Sequence, residues 1–421
     1  MKKRIGSLAA LLMMLAVLVV NGCGGGGAAN SSPVADAGTD RIVTTNSVVT
    51  LDGSGSTDAD GDILTYSWSF TLKPTGSTAA LSNETVVNPT FTADRDGSYV
   101  LYLVVNDGTV DSAADTITIT AARVVPLPDT RQTNCYDSDA SGTVIDCTGT
   151  GQDGEYSINP PSYTDNGDGT VTADVTGLMW QQSNSNTKYN WYAASGILDL
   201  TYNSSGTGVC GDLSLGGYTD WRLPTVNELE SITDSGTYNP AIDTTAFPNT
   251  NSSDYWSSTA YAGSPSHAWK VSFHDGYVDG NDKTVNSYVR CVRGSEPPAQ
   301  SFTDNGDGTV TDNVTGLMWQ QEDDNIMKQW PGALNYCNGL SFAGHTDWRL
   351  PNKRELVSIL DYSTYNPTID TTAFPKTKLF QYWSSTTSAN ETSNAWYVLF
   401  DNSRVFFDDK TFNYYYVRCV R

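Results

Sequence analysis

The pattern of apolar and polar positions divides the 421-residue chain into stretches of different grammar. Leu64, Tyr66, Trp68 and Phe70 alternate with Thr65, Ser67 and Ser69, the period-two signature of a half-buried strand. Tyr99–Val105 is apolar at nearly every position and predicts a central strand, and Thr116–Thr120 reads as a closing one. About seven such short strands between Pro33 and Ala122 predict an antiparallel β-sandwich. Further on the grammar changes. Asp-Asn-Gly-Asp-Gly before Thr-Val-Thr, at Asp165 and again at Asp304, predicts a tight hairpin, because glycine supplies the positive φ such turns need. Thr225-x-x-Glu228 and Asn352-x-x-Glu355 are capping boxes, and Leu229/Ile232 and Leu356/Ile359 follow at helical spacing on a buried face. Trp330-Pro331 predicts another helix start, with its counterpart beginning at Trp191.

Internal repetition dominates the rest. Tyr163–Gln182 and Phe302–Gln321 agree at 17 of 20 positions. The match resumes at TDWRLP (Thr219 and Thr346), TYNP (Thr237 and Thr364), YWSST (Tyr255 and Tyr382) and Ala-Trp, and both copies close on YVRCVR. Each unit is far longer than a solenoid repeat, so each reads as a domain of its own. The boundaries are 127–293 for the first unit with a leader, 294–300 for a linker, and 301–421 for the second. Both units predict α+β domains of short strands and long loops.

At the N-terminus, Lys2, Lys3 and Arg4 precede an apolar run, Leu8–Val20, too short to span a membrane comfortably, which ends in Asn-Gly-Cys23. This resembles the signal peptide and lipobox of bacterial lipoproteins (1–23), which implies lipidation of Cys23, a glycine-rich tether (24–32) and sorting to the outer membrane. Six further cysteines remain, an even number suited to an oxidising compartment. Cys135 and Cys147 suit a local staple, while Cys210 with Cys291 and Cys337 with Cys419 occupy matching places in the two units. Metal binding is the alternative, but none lies in a C-x-x-C pair.

Composition narrows the function. Lys and Arg number 24 against 47 Asp and Glu, for a net charge of −23, which argues against a nucleic-acid partner. Three histidines in all, none recurring between the repeats, give little support to histidine catalysis or a transition-metal centre.

Pro33–Gly38, LDGSGSTDADGD from Leu51, the LTYSWSF strand and Tyr99–Asp107 resemble PKD-type immunoglobulin-like domains over 33–122. That resemblance implies a spacer or presentation module. Asp58, Asp60 and Asp62 in this stretch group hard oxygen donors of the kind calcium takes, though the closing glutamate of an EF-hand loop is missing. Calcium and a solvated acidic loop stand as equal alternatives; no other cofactor is expected.

The motifs DNGDGTVTD-x-x-TGLMW, DWRLP-x-x-x-EL, YWSST and YVRCVR, with LPDTRQTNCYD from Leu127 as leader, resemble the Lcl C-terminal domain of exported bacterial proteins. The resemblance implies a C-type-lectin-like fold shared with formylglycine-generating enzymes, and a role in adhesion, including binding of sulfated glycans. The first copy departs from the motif at Ala173, where the second has Asp312, a substitution read as a loop-edge change.

The expected fold class is therefore a β-sandwich followed by two tandem α+β, C-type-lectin-like domains. The repeated tryptophans Trp180, Trp256, Trp269, Trp319, Trp383 and Trp396 read as core. Arg222 and Arg349 read as loop ties, and Arg290, Arg293, Arg418 and Arg421 as bridges to nearby carboxylates. Sugar-stacking residues are expected where the copies diverge, which makes Tyr414 and Tyr415 candidates, with Lys376 and Lys378 as a local basic patch. The first repeat carries six basic against fourteen acidic side chains and the second ten against fourteen, so a neutral glycan or a surface protein fits at least as well as a sulfated one. The expected function is a lipid-anchored, non-catalytic binding or adhesion module for a surface glycan or an envelope or extracellular protein. An envelope scaffold and a formylglycine-generating-type oxidase, which would need reactive thiols, are the competing readings.

Overall fold

A computed structural model of the chain describes residues 30–137, 142–197 and 208–421. The N-terminal charged and apolar run, Cys23 and most of the glycine tether lie outside the described residues. Among the described residues no helix is long and apolar enough to cross a membrane.

The first unit is a β-sandwich. One sheet orders its strands Arg41–Thr44, Asp115–Ala122, Gly97–Asn106 and Thr65–Leu72, and a two-stranded sheet pairs Val48–Thr50 with Thr90–Thr92. Gly97–Asn106 lies between two neighbours, as its apolar run predicts. Only alternate residues of it are buried, however: Tyr99, Leu101, Leu103 and Val105 face the core with Trp68, while Tyr102 faces solvent. With the core on one side only, period two governs even this strand.

Each repeat is a small sheet, helical turns and a larger meander. In the first, Tyr163–Asp165, Thr170–Ala173 and Met179–Gln181 form a sheet closed by Val292–Arg293. Gly167 and Gly169 take φ of 73° and 87°, and Asp165 and Asp168 accept the Gly167 and Thr170 amides at 2.8 and 3.0 Å, which fixes the hairpin turn. Helices α1 (Trp191–Ser195), α2 (Gly208–Gly211) and α3 (Val226–Ser231) follow, then a meander of Asp254–Ala260, His267–Ser272 and Val278–Asp282. The second repeat has Phe302–Asp304, Thr309–Asp312 and Met318–Gln320, helices α4 (Trp330–Asn338) and α5 (Lys353–Ser358), and a meander of Gln381–Thr387, Asn394–Leu399 and Val405–Asp409. Both capping boxes are formed, and Pro331 stands in the first turn of α4. All six repeated tryptophans are buried, at most 1% exposed.

The two repeats do not stand apart. The last strands of their meanders pair antiparallel at Val278 and Val405, so both meanders join in one six-stranded sheet. A single apolar cluster runs through both copies, from Trp180, Leu229 and Trp269 to Trp319, Leu356 and Trp396. Tyr277 of the first stacks on Phe407 of the second at 4.9 Å, and Trp269 meets Tyr362 at 5.0 Å. Helices α3 and α5 face each other across this pseudo-two-fold arrangement. There Glu230 of α3 sits between Lys353 and Arg354 of α5, each 3.3 Å away and all three at most 2% exposed.

The leader docks on the second repeat rather than the first alone. The Gln132 side-chain amide pairs with the backbone of Thr387, donating at 2.7 Å and accepting at 2.8 Å. Asp153 accepts the hydroxyls of Thr130 and Thr386 at 2.6 Å each.

Candidate functional site

Most of the charged chemistry in the repeat motifs is consumed by structure. Arg222 reaches Glu228 through two bonds of 2.7 and 2.5 Å, and Arg349 holds Glu355 likewise, while each glutamate also closes its capping box. Arg293 and Arg421 bridge Asp220 and Asp347. Arg290 and Arg418 correct the expectation of carboxylate partners. Arg290 donates to the carbonyls of Gln181 and Gln182 and to Thr250, and Arg418 to those of Gln320 and Gln321 and to Thr377. Each guanidinium also lies over a phenylalanine ring, Phe247 at 4.8 Å and Phe374 at 4.7 Å. Complete burial lowers the pKa of both, Arg290 to about 10. A planar fork that satisfies two carbonyls on one side suits this place, where lysine would not.

Cysteines pair as the matching positions suggest: Cys135–Cys147, Cys210–Cys291 and Cys337–Cys419. The two longer bridges each sit in a tryptophan-rich satellite core, Trp191, Trp221 and Trp256 in one copy and Trp330, Trp348 and Trp383 in the other. Asp312 stands at the loop edge, as the last residue of its strand, but it is not an idle one. It is 2% exposed, and it accepts the Val314 amide at 2.9 Å and the Thr315 hydroxyl at 2.6 Å, so it pins the turn that Ala173 leaves to the backbone.

In the acidic loop of the sandwich one oxygen of Asp58 is engaged by the loop backbone. Asp58 accepts the amides of Asp60 and Asp62 at 2.9 and 3.1 Å, and Asp60 accepts that of Ser31. Among the described residues no three carboxylate, histidine or cysteine side chains are grouped as cation ligands, Asp58, Asp60 and Asp62 included.

The predicted ligand-facing pair separates. Tyr415 is only 6% exposed; its hydroxyl donates to Asp408 at 2.6 Å and its ring packs on Trp383 at 4.4 Å. It belongs to the core, packed with Trp383 and Trp330 in the satellite cluster of the second repeat. Tyr414 is that outward neighbour, 53% exposed. Lys376 is exposed but paired with Glu322 at 2.8 Å, and Lys378 is half-buried, so the two make no free basic patch.

Around Tyr414 lies a face that sequence reading assembled only in part. Backbone pairing of Lys328 with Tyr415, at 2.8 and 3.0 Å, brings residues 326–328 alongside 412–416. Phe380 stands 6.1 Å from Tyr416. The result is a cluster of outward apolar side chains: Phe412, 78% exposed, with Tyr414, Ile326, Met327, Leu379 and Phe380. The first repeat is polar at the matching places, with Thr187-Lys188 for Ile326-Met327, Ser252-Ser253 for Leu379-Phe380, and Asn286 for Tyr414. That substitution pattern was the available signal. On a scaffold otherwise held constant, three separated polar-to-apolar changes meet on one surface.

Comparison with known proteins agrees with this anatomy. The family model of the Lcl C-terminal domain matches residues 169–293 and 308–421, together more than half the chain. A family model of the PKD domain matches 37–121. Among solved structures, the PKD domain of the KIAA 1837 protein is 31% identical over 23% of this chain and 93% of its own, with a TM-score of 0.20. A nucleoside hydrolase-related hypothetical protein from Saccharophagus degradans is 27% identical over 23% of this chain (TM-score 0.21), and this chain spans about a quarter of it, 26%. The Yersinia pseudotuberculosis adhesin InvE is 14% identical over 93% of this chain and 97% of its own, at a TM-score of 0.21. At these scores the likenesses carry no argument about the whole molecule. No curated protein matches. Three disulfides and a PKD domain mark an exported protein. The chain belongs to the Lcl C-terminal domain family, with two copies of that domain fused behind a PKD domain.

Proposed function

We propose that this protein is a lipid-anchored, non-catalytic binding module of the bacterial cell envelope, engaging a surface glycan or a surface protein. We read each repeat as a C-type-lectin-like unit and the PKD domain as the spacer that holds the pair off the membrane. The observation that carries the reading is the outward apolar and aromatic face of the second repeat, Phe412, Tyr414, Phe380, Ile326, Met327 and Leu379. Exposed aromatics clustered on an otherwise polar, acidic surface are costly to keep in water unless a partner covers them. Flat rings also suit the apolar faces of sugars and the anchors of protein interfaces.

Charge favours a neutral glycan or a protein over a sulfated one. The candidate lysine patch is neutralised at Lys376 by Glu322, and both repeats are net acidic. Support for a non-catalytic reading comes from the disulfides, which occupy the six cysteines that an oxidase of the formylglycine-generating type would need as thiols. His267 and His274 meet serine hydroxyls in the first repeat, at 2.9 and 3.0 Å, but Asn394 and Asp401 stand at the matching positions of the second.

A glycan array probed with the exported chain, with calcium and with chelator, at low and at physiological salt, tests the proposal. Binding that survives physiological salt and chelator supports it. A signal confined to low salt would mark electrostatic adhesion, and a blank array would move the ligand to a surface protein.

A further inference from the structure

The leader, residues 127–136, runs in a channel built from both repeats. On the side of the first repeat, Arg131 pairs with Asp243 at 2.6 Å and lies 3.7 Å from Asp234, and the Ser235 amide donates to the Thr130 carbonyl at 2.9 Å. On the side of the second, Arg354 donates to the carbonyls of Pro128 and Asp129, Thr386 donates to Asp153, and Gln132 pairs with the Thr387 backbone. Under this cover Thr386, Thr387 and Ser388 are at most 1% exposed.

Pseudo-two-fold symmetry generates a second channel from corresponding residues, with Asn227 in the place of Arg354, and there is only one leader. Asp361 and Asp370 correspond to Asp234 and Asp243, while Thr259 and Ala260 correspond to Thr386 and Thr387. Asp361, Asp370 and Thr259 line an open groove of about 680 Å³, walled further by Thr225–Asn227 of the first repeat, by Tyr362–Thr364 of the second, and by the linker prolines Pro297 and Pro298, with Ala260 next to Thr259 on its strand. The linker holds the place that Asn159, Pro160 and Pro161 hold beside the leader, where the Asp129 amide donates to the Asn159 carbonyl at 3.0 Å.

Among the described residues, the second channel has the receiving groups without their partners. Asp361 and Asp370 accept only local bonds, from Ser363 and from Thr372 and Ala373, and neither meets a cation. Thr259 accepts the Val226 amide at 3.1 Å, as Thr386 accepts that of Lys353 at 2.8 Å, but no carboxylate takes its proton as Asp153 takes that of Thr386. Ser258 and Ala260 are exposed where their counterparts are buried.

We propose that this groove is a docking site for an extended, arginine-bearing peptide segment of a partner protein, bound as the leader is bound in its own channel. The arginine bridges Asp361 and Asp370, a polar side chain one residue on meets the outward backbone of Ala260, and the net acidic repeats draw the cationic segment in. This site is separate from the aromatic face, so its failure would leave that proposal untouched.

The chain supplies its own probe. A fluorescein-labelled peptide of residues 127–134 is titrated into the exported chain and followed by anisotropy. Saturable 1:1 binding is expected, weakened at least tenfold by Asp361→Asn/Asp370→Asn and by alanine in place of Arg131 in the peptide. Asp234→Asn/Asp243→Asn, which alters the occupied channel, is expected to leave it within about twofold. Unchanged melting temperatures show that the variants fold. The proposal is overturned by absence of binding, or by binding indifferent to the Asp361 and Asp370 changes. Self-association of the chain that those same changes abolish would equally overturn it, by making a second copy the occupant.

Discussion

Replacing Glu230 with alanine tests whether the two repeats are one folded body. Glu230 on α3 is 2% exposed and is approached at 3.3 Å by both Lys353 Nζ and Arg354 Nε from α5. Removing the carboxylate leaves two cations buried against each other. Lys353 retains only the Gly276 carbonyl at 3.0 Å and the Trp396 face at 4.4 Å, and Arg354 retains carbonyls of the leader and of Thr233. Breaking a buried ion pair from one side costs about 3–5 kcal/mol, or roughly a 100- to 4,000-fold change in the unfolding equilibrium. Denaturant unfolding with disulfides intact, followed by tryptophan fluorescence, reads this directly, because ten of the eleven tryptophans lie in the repeats. One shared transition should move to lower denaturant by that amount. Adding Lys353→Met to Glu230→Ala should recover part of the loss, since the stranded charge is then removed. A loss below about 1 kcal/mol, or a first-repeat transition that shifts while the second stays in place, would refute a shared core.

Three further outcomes follow from single groups. Burial raises the Asp153 carboxyl to about 7 from an ordinary 3.8, with Asp129 adding to the effect, so its contribution to stability is complete below about pH 4 and is lost as the pH climbs through 7. The loss is on the order of 4 kcal/mol, and Asp153→Asn should flatten the dependence of urea midpoints between about pH 4 and 7; parallel slopes for both proteins would contradict the assignment. Among the described residues the buried Tyr362 hydroxyl has no hydrogen-bond partner, so Tyr362→Phe should be neutral or stabilising by up to about 1–3 kcal/mol, and a clear loss in thermal unfolding would show that the hydroxyl has a partner. Cys337 and Cys419 lie 82 residues apart in sequence, and replacing both with alanine should cost about 4.5 kcal/mol in the chain-entropy account, read from the same denaturant curves.

Local features of the fold were legible in the sequence because their causes are local. Asp165 and Gly167 make their turn within three residues, and Thr225 and Glu228 close their capping box within four. Repeated tryptophans read correctly as core because identical large side chains at matching places must fill identical cavities. The joining of the copies was not read, since it depends on Val278 meeting Val405 across 127 positions of chain. A trace of it was present. Val226, Asn227 and Glu230 of α3 become Lys353, Arg354 and Val357 in α5, an exchange of charge that makes sense only if the two helices face each other. Arg290 and Arg418 misled for a different reason: a cation predicts a carboxylate, whereas these satisfy backbone carbonyls, which carry no mark in a sequence. Tyr415 failed as a ligand residue because its ring is buried in the satellite core and its hydroxyl is held by Asp408, beside the outward Tyr414.

Binding through the face of Phe412 and Tyr414 is the central claim, and a paired comparison tests it most directly. The exported chain and its Phe412→Ser/Tyr414→Ser variant are applied to the same glycan array at physiological salt, with melting temperatures recorded for both. The account predicts a signal for the parent chain that falls at least tenfold in the variant, as loss of two exposed anchors requires, with the melting temperature unchanged or raised. An undiminished signal in the folded variant would contradict it.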